Sequence, residues 1–327
     1  MTEKYQIGID LGGTNIAAGI VDENFRIVGK ASVPTEVNGK NGVASPEEIA
    51  DRMAQAVRLA AEKAAVSMDE VGSVGIGTPG SADPFQGIVK YANNLHFFQT
   101  PLSRMMEDRL HKPVYLANDA NAAAYGEAMA GASKGCANSI MITLGTGVGG
   151  GVIIDGKIVT GCSFCGGELG HMGMMYGGEP CTCGRKGCIE AYCSATALIR
   201  QTRRKMEQFP DSAMWGLCGG SLDKVDGRTA FDGMRAGDKA AAEVVEQYIS
   251  YLGYALTNYV NLLQPEMLLI GGGISKEGET ILAPLREIVN REAYCKDPEE
   301  NTKIAAATLG NDAGIIGAAS LYRLYQK

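Results

Sequence analysis

Apolar positions along this chain alternate between two rhythms. "YQIGID", "IAAGIVD" and "RIVGKASV" carry the dense apolar residues of strands and predict a hairpin-rich opening. "SPEEIADRMAQAVRLAAEKAA" switches to a helical period, with Ser45 as N-cap, Pro46 in the first turn and Glu48 three residues on. "VGSVGIGTPG" predicts a strand ending in a turn, and "KPVYLANDANAAAYGEAMAG" a short strand running into an alanine-rich helix.

A second cycle follows. "SIMITLGTG" and "GGVIIDGKIV" predict strands around a glycine turn, and "KAAAEVVEQYISYLGYALTNYVNLL" a long helix. "PEMLLIGGG" and "TKIAAATLG" predict strands, and "DAGIIGAASLYRLY" a closing helix. Two strand-rich units, each with a glycine turn after a strand, predict a two-lobed α/β protein. The stretch from Phe209 to Gly237 predicts helix plus loop, and no linker or low-complexity tract is found.

The 327 residues fit about two domains. A net charge of −7 argues against a sequence-independent grip on nucleic acid or an anionic membrane, which needs a basic patch. The cluster Arg200, Arg203, Arg204, Lys205 is short and reads as a solvated face. "MTEKYQIGID" lacks the charged-then-apolar pattern of an export signal. The most apolar stretch, "SIMITLGTGVGGGVIID", is broken by five glycines and too short to span a bilayer. The nine cysteines then read as reduced thiols or metal ligands in a cytoplasm.

Two glycine turns carry candidate phosphate chemistry. In "GIDLGGTN", Asp10 ends a strand and Gly12, Gly13, Thr14 and Asn15 form a tight turn. Glycines let backbone N–H groups approach a phosphate, Thr14 adds a hydroxyl, and Asp10 could hold Mg²⁺ directly or through water. A hairpin turn with an exposed acid fits the same residues. "LGTGVGGG", with Gly145, Thr146 and Gly147, matches a dinucleotide fingerprint in its glycines, yet a strand follows where that fingerprint needs a helix. No GxxxxGK[ST] occurs. What remains is a pair of strand–glycine–strand turns, one per lobe, suited to the phosphates of one nucleotide.

Together with "GTPG", "NDANAAA", "GGELGH" and "CTCGRKGCIE", these turns resemble the ROK family of sugar kinases and related repressors nearly end to end, and within it the bacterial glucokinases. The resemblance implies an actin-like ATPase (ribonuclease H-like) fold, with hexose and ATP in a cleft between two lobes. It places residues 1–117 and about 305–327 in the first lobe and 118–304 in the second. It also implies a homodimer or homotetramer.

Asp119 opens the alanine-rich helix, where an aspartate serves as an ordinary N-cap. The resemblance implies a second role, general base toward the sugar 6-hydroxyl. Cys181, Cys183 and Cys188, with His171 ten residues before the first, make a Cys₃His set suited to structural Zn²⁺, against free thiols or a redox pair. Glu168 and Glu190 flank that set, and the resemblance implies Asn118, Glu168, His171 and Glu190 as sugar-hydroxyl ligands. Cys162 and Cys165 form an extra CxxC read as simple packing. Gly80 and Asn93 are candidate sugar contacts in ordinary turn sequences, and Gly271, Gly272 and Gly273 fit either a backbone approach to adenosine or a plain strand-to-helix turn.

These readings converge on ATP-dependent phosphorylation of glucose at the 6-hydroxyl. N-acetylmannosamine, fructose and allose kinases are the alternatives within the family. A sugar-responsive repressor is the competing class, disfavoured by the phosphate turn beginning at Asp10 with no room for a helix-turn-helix ahead of it. An actin-like filament or chaperone ATPase would not need the cysteine motif.

Overall fold

The computed structural model describes residues 4–36, 38–39, 42–297 and 301–326. Strands β1 (Tyr5–Leu11), β2 (Asn15–Asp22) and β3 (Ile27–Pro34) form an antiparallel meander. The short strands β4 (Asn38–Gly39) and β5 (Gly42–Val43) pair ahead of helix α1 (Pro46–Ala64). Then come β6 (Val71–Thr78), a small antiparallel sheet of β7 (Ser81–Asp83), β8 (Ile88–Ala92) and β9 (Phe97–Thr100), helix α2 (Leu102–Leu110), β10 (Val114–Asn118) and α3 (Asp119–Ala130).

The second cycle opens with β11 (Ser139–Leu144), β12 (Val148–Ile154) and β13 (Lys157–Ile158). Helices α4 (Glu190–Cys193), α5 (Ala195–Gln208), α6 (Met214–Leu217), α7 (Thr229–Arg235) and α8 (Lys239–Leu263) follow. The chain closes with β14 (Met267–Gly272), α9 (Glu279–Glu292), β15 (Lys303–Ala306), α10 (Ala313–Ala319) and α11 (Tyr322–Tyr325). Two five-stranded sheets result, in the orders β10-β6-β1-β2-β3 and β13-β12-β11-β14-β15. The first mixes an antiparallel β1–β2–β3 with parallel β1–β6–β10, and in the second β14 and β15 are parallel while β12 and β13 are antiparallel.

The chain divides into two compact units: residues 1–140, 151–167 and 308–327, and residues 141–150 and 168–307. The boundary expected at 117/118 falls inside the first unit, at the junction of β10 and α3. The reason is α10, which packs on α3 at backbone distance: a Cβ on Gly317 would lie 1.7 Å from the Ala122 carbonyl, and one on Gly126 2.1 Å from that of Ala313. Gly8 and Gly75 admit the same helix to β1 and β6, with virtual Cβ positions 1.8 Å and 1.7 Å from the Ile315 and Ala318 carbonyls. The opposite face of the sheet takes α1, whose capping box at Ser45 and Glu48 forms as expected. Ile49, Met53 and Val57 enter its core.

In the second unit α8 is the central helix. Its buried tyrosines reach the segments that matter for the site: Tyr259 Oη donates to the Leu169 carbonyl at 2.9 Å and Tyr248 Oη to that of Cys193 at 2.6 Å. The closing helix is two pieces, since α10 ends where Ser320 turns its hydroxyl back onto the Ile316 carbonyl. "GGVIIDGKIV" is likewise broken into β12 and β13 by a two-residue turn at Asp155 and Gly156, both with positive φ.

Candidate active site

In the first unit, Asp10 lies at the end of β1, between Ala17 on β2 and Gly77 on β6. Burial pushes its carboxyl above the usual range, and Lys30 offsets only part of that. A nearby cation would restore the ionised form, so the residue suits a Mg²⁺ partner. Residues 12–15 form the expected turn, closed by Gly12 N–H to the Asn15 carbonyl at 3.0 Å and braced by Thr35, whose Oγ1 donates to the Gly12 carbonyl at 2.7 Å. A Cβ at Gly12 would meet the Asn15 carbonyl at 2.8 Å. Gly13, Thr14 and Asn15 are exposed. Asn94, which the sequence did not single out, stands over Gly13, its Nδ2 3.2 Å from where a Cβ would be.

Asn118, not Asp119, caps α3. Its Oδ1 accepts from Ala120 N at 3.0 Å and Asn121 N at 3.2 Å, and its Nδ2 donates to the Gly80 carbonyl at 3.1 Å. The extended backbone at Asn118 (φ −61°, ψ 147°) decides between the two adjacent candidates. Asp119 is therefore the first helical residue, where the helix dipole favours a negative charge. Its Oδ1 accepts from Ala120 N at 2.8 Å. Gly80 has φ +82°, and a Cβ there would lie 2.0 Å from the Tyr91 carbonyl. Asn93 is exposed, its Oδ1 accepting from Tyr91 Oη at 3.2 Å.

In the second unit, residues 144–148 link β11 to β12 as a strand–turn–strand, with Gly145 N–H donating to the Gly147 carbonyl at 3.0 Å. The start of α5 braces this turn: Ala195 N donates to the Gly145 carbonyl and Thr196 Oγ1 to that of Thr146, both at 2.8 Å. Glu190 ties the turn to the cysteine segment. Its Oε2 accepts from Val148 N at 3.1 Å, while its Oε1 accepts from Thr182 Oγ1 at 2.7 Å and Cys181 Sγ at 3.5 Å. Gly147 leaves room for that carboxylate, since a Cβ would stand 2.3 Å from Oε2.

The cysteine segment is a tight hairpin. Pro180 and Lys186 face each other, Cys181 N donates to the Arg185 carbonyl at 2.9 Å, and Gly184 turns the tip with φ +86°. A second bridge, Gly173 to Cys188, brings the histidine-bearing segment alongside. Ligand atoms of His171, Cys181, Cys183 and Cys188 all lie within 4.8 Å of one another. Tetrahedral zinc with its usual bond lengths requires S···S near about 3.8 Å and S···N near about 3.6 Å. Cys183 and Cys188 Sγ are 3.7 Å apart, and His171 Nδ1 is 3.6 Å from Cys181 Sγ. The four residues fit the metal, and the facing nitrogen is Nδ1, which leaves Nε2 for another partner. Burial pushes the Cys188 thiol up to about 12 and raises Cys181, whereas the Arg185 backbone N–H holds Cys183 below the usual thiol range. Glu168 is exposed and its carbonyl accepts from His171 N at 3.0 Å.

Gly271 and Gly272 have a packing explanation. Virtual Cβ positions fall 2.8 Å from Met141 Cε and 2.4 Å from the Leu144 carbonyl, whereas Gly273 faces open space. Cys162 and Cys165 are both exposed, contrary to simple packing, and Cys165 Sγ lies 3.1 Å from Ser81 Oγ. Neither belongs to the metal cluster found among the described residues. The basic stretch is not a uniformly solvated face either: Arg200, Arg203 and Lys205 are half-buried, and Arg200, Arg204 and Lys205 are ion-paired.

The model of the ROK family matches residues 6–324. The glucokinase of Thermotoga maritima is 38% identical over 99% of this chain and 98% of its own length. The crystal structure of a ROK family glucokinase from Streptomyces griseus in complex with glucose and AMPPNP matches with a TM-score of 0.80 at 37% identity, covering 98% of this chain and 99% of that one. The xylose repressor of Caldicellulosiruptor bescii is 29% identical over 96% of this chain and 77% of the repressor.

Proposed function

The chain belongs to the ROK family, with its two-domain actin-like ATPase fold, and from that premise we propose that it is an ATP-dependent glucokinase. Glucose bound to the Streptomyces griseus relative and the glucokinase of Thermotoga maritima support glucose as the acceptor. The observation within this chain that carries the reading is Glu190. One carboxylate is bonded both to the second glycine turn and to the metal-ligand hairpin, as a pocket that places a sugar beside a triphosphate requires.

In the reaction, the glucose 6-hydroxyl oxygen attacks the γ-phosphorus, its proton passes to the Asp119 carboxylate, and the bond to the β–γ bridging oxygen breaks to release ADP. Positioning and charge neutralisation carry most of the rate in such transfers, and a general base adds about 10²–10⁴-fold. Backbone N–H groups of residues 12–15 and 145–147 take the phosphates, and Gly273 the adenosine side. Asp10 would hold Mg²⁺, which neutralises phosphate charge when bound. Sugar hydroxyls go to Glu168, Glu190 and the free Nε2 of His171, with Gly80 and Asn93 as further contacts. Asn118 acts mainly by holding Gly80, though its second amide hydrogen remains for a sugar oxygen. Zinc would be held by His171, Cys181, Cys183 and Cys188 as a structural cross-link.

A cytoplasmic location accords with a cluster of reduced thiols, and no helix among the described residues is long and apolar enough to cross a membrane. A homodimer or homotetramer is part of the same reading. The test is ATP- and Mg²⁺-dependent turnover on glucose, N-acetylmannosamine, fructose, mannose and allose, compared as kcat/KM. Glucose should lead, and Asp119→Asn should lose about 10²–10⁴-fold in kcat while still binding glucose in calorimetry. Full activity in that variant would remove Asp119 from the role. Similarity to a xylose repressor keeps a sugar-responsive regulator as the second reading, favoured by sugar binding without turnover.

A further inference from the structure

A cavity of about 270 Å³ lies in the second unit between α5 and α8, lined also by Glu179 of the cysteine hairpin. It takes no part in the reaction above, and its size sits just below the roughly 300–1,000 Å³ of small-molecule sites. Its charges are unbalanced. Arg204 grips Glu179 with Nη1 at 2.5 Å and Nη2 at 3.3 Å, whereas Arg200 Nε is 3.7 Å from the same carboxylate and has no hydrogen-bond partner. Lys205 pairs with Glu243, whose side chain is 57% exposed. Three cations thus face two carboxylates, and the exposed members of these pairs, Arg204 and Glu243, leave the cations open to exchange for another anion.

A guanidinium fork matches phosphate as well as carboxylate, and whereas Arg204 holds Glu179 with both terminal nitrogens, Arg200 donates Nη2 to the Ala191 carbonyl and keeps only part of its fork for an anion. Beside the cations stand Tyr192 and Tyr251, their ring centroids 5.1 Å apart and edge-on, and Gln247, whose Nε2 donates to Tyr251 Oη at 3.2 Å. Tyr192 is buried with its hydroxyl bonded to Glu179 N and Met175 Sδ, so the ring surface and amide open to a polyol are those of Tyr251 and Gln247. We propose that this cavity is a second, non-catalytic binding site for a phosphorylated sugar, with its phosphate on Arg200, Arg204 and Lys205.

Calorimetry on zinc-loaded protein tests this, with glucose and a non-hydrolysable ATP analogue in excess to fill the active site. Glucose 6-phosphate is the probe and inorganic phosphate the comparison. One equivalent of glucose 6-phosphate should still bind. Arg204→Gln and Lys205→Gln should each weaken it roughly tenfold or more, as expected for a lost charged hydrogen bond, with turnover and melting temperature unchanged. The two variants discriminate even if the glucokinase reading fails. Binding abolished by filling the active site, or indifferent to both variants, overturns the site. Inorganic phosphate binding as tightly as glucose 6-phosphate reduces it to an adventitious ion only.

Discussion

Gly147→Ala separates the sugar pocket from the phosphate turn that shares Glu190. A methyl group at this position would stand 2.3 Å from Glu190 Oε2, so the carboxylate must retreat by at least about 0.7 Å to reach even the 3.0 Å floor of real contacts. That oxygen already accepts from Val148 N at 3.1 Å, and a retreat directed away from Val148 lengthens this contact to at most about 3.8 Å, beyond hydrogen-bond range. A hydrogen bond to a charged group contributes about 1.5–3 kcal/mol, or roughly 10–150-fold if all of it is expressed. Because the carboxylate, and not the turn backbone, is displaced, the loss should fall on KM for glucose at saturating ATP. Gly145→Ala is the matched control: its methyl group meets nothing within 4 Å, and neither glycine has a positive φ that alanine would strain. Alanine at 145 should raise KM for ATP and leave glucose alone. A coupled assay of ADP release, run with each substrate varied in turn, reads both. If Gly147→Ala raises only KM for ATP, Glu190 is not the shared acid and the pocket must be redrawn.

Zinc occupancy should fall as pH is lowered, because the thiols of Cys181 and Cys188 are pushed up by burial and binding must displace their protons. Metal analysis after dialysis at stepped pH checks this, and occupancy indifferent to pH would contradict a thiolate site. Asp10→Asn should raise the melting temperature of nucleotide-free protein at neutral pH while lowering turnover. The folded-state pKa of Asp10 is raised, so ionisation lowers stability as pH climbs through that window and the deficit persists above it. A lower melting temperature would argue against buried charge at Asp10. Gly80→Ala should destabilise by about 1–3 kcal/mol in urea titration, since φ +82° suits glycine and the Tyr91 carbonyl occupies the side-chain position.

The parts of the fold legible in the sequence are those whose signal is local. Strands β1, β6 and β14 are near-continuous apolar runs because both sheet faces are covered, and the glycine turns and cysteine spacing are equally compact signals. The small sheet β7–β9 escaped because exposed Tyr91 and Phe98 interrupt its buried positions and its register shifts between Ser81 and Ala82. The turn after β12 was readable from its Asp-Gly pair, yet the apolar run across it masks the break. At Asn118–Asp119 both residues can cap, and only backbone geometry chooses. The double duty of Glu190 has no sequence trace, since Val148 is 42 positions away. Arg200 and Arg204 do fall on one helical face, but Glu179, 25 positions before Arg204, turns that face into a cavity wall.

The docking of α10 sets an order on synthesis. Residues 313–319 fill a trough that Gly8, Gly75 and Gly126 leave open, so the first unit stays unfinished on the ribosome until residues 313–319 emerge. At roughly 5–20 residues per second, the interval between residue 140 and residue 319 is about 9–36 s. Throughout it the glycine-lined face of β1 and β6 is bare. A chain cut before Ala313, which loses both α10 and α11, should keep that face exposed for good, whereas one cut after Ser320 should close it.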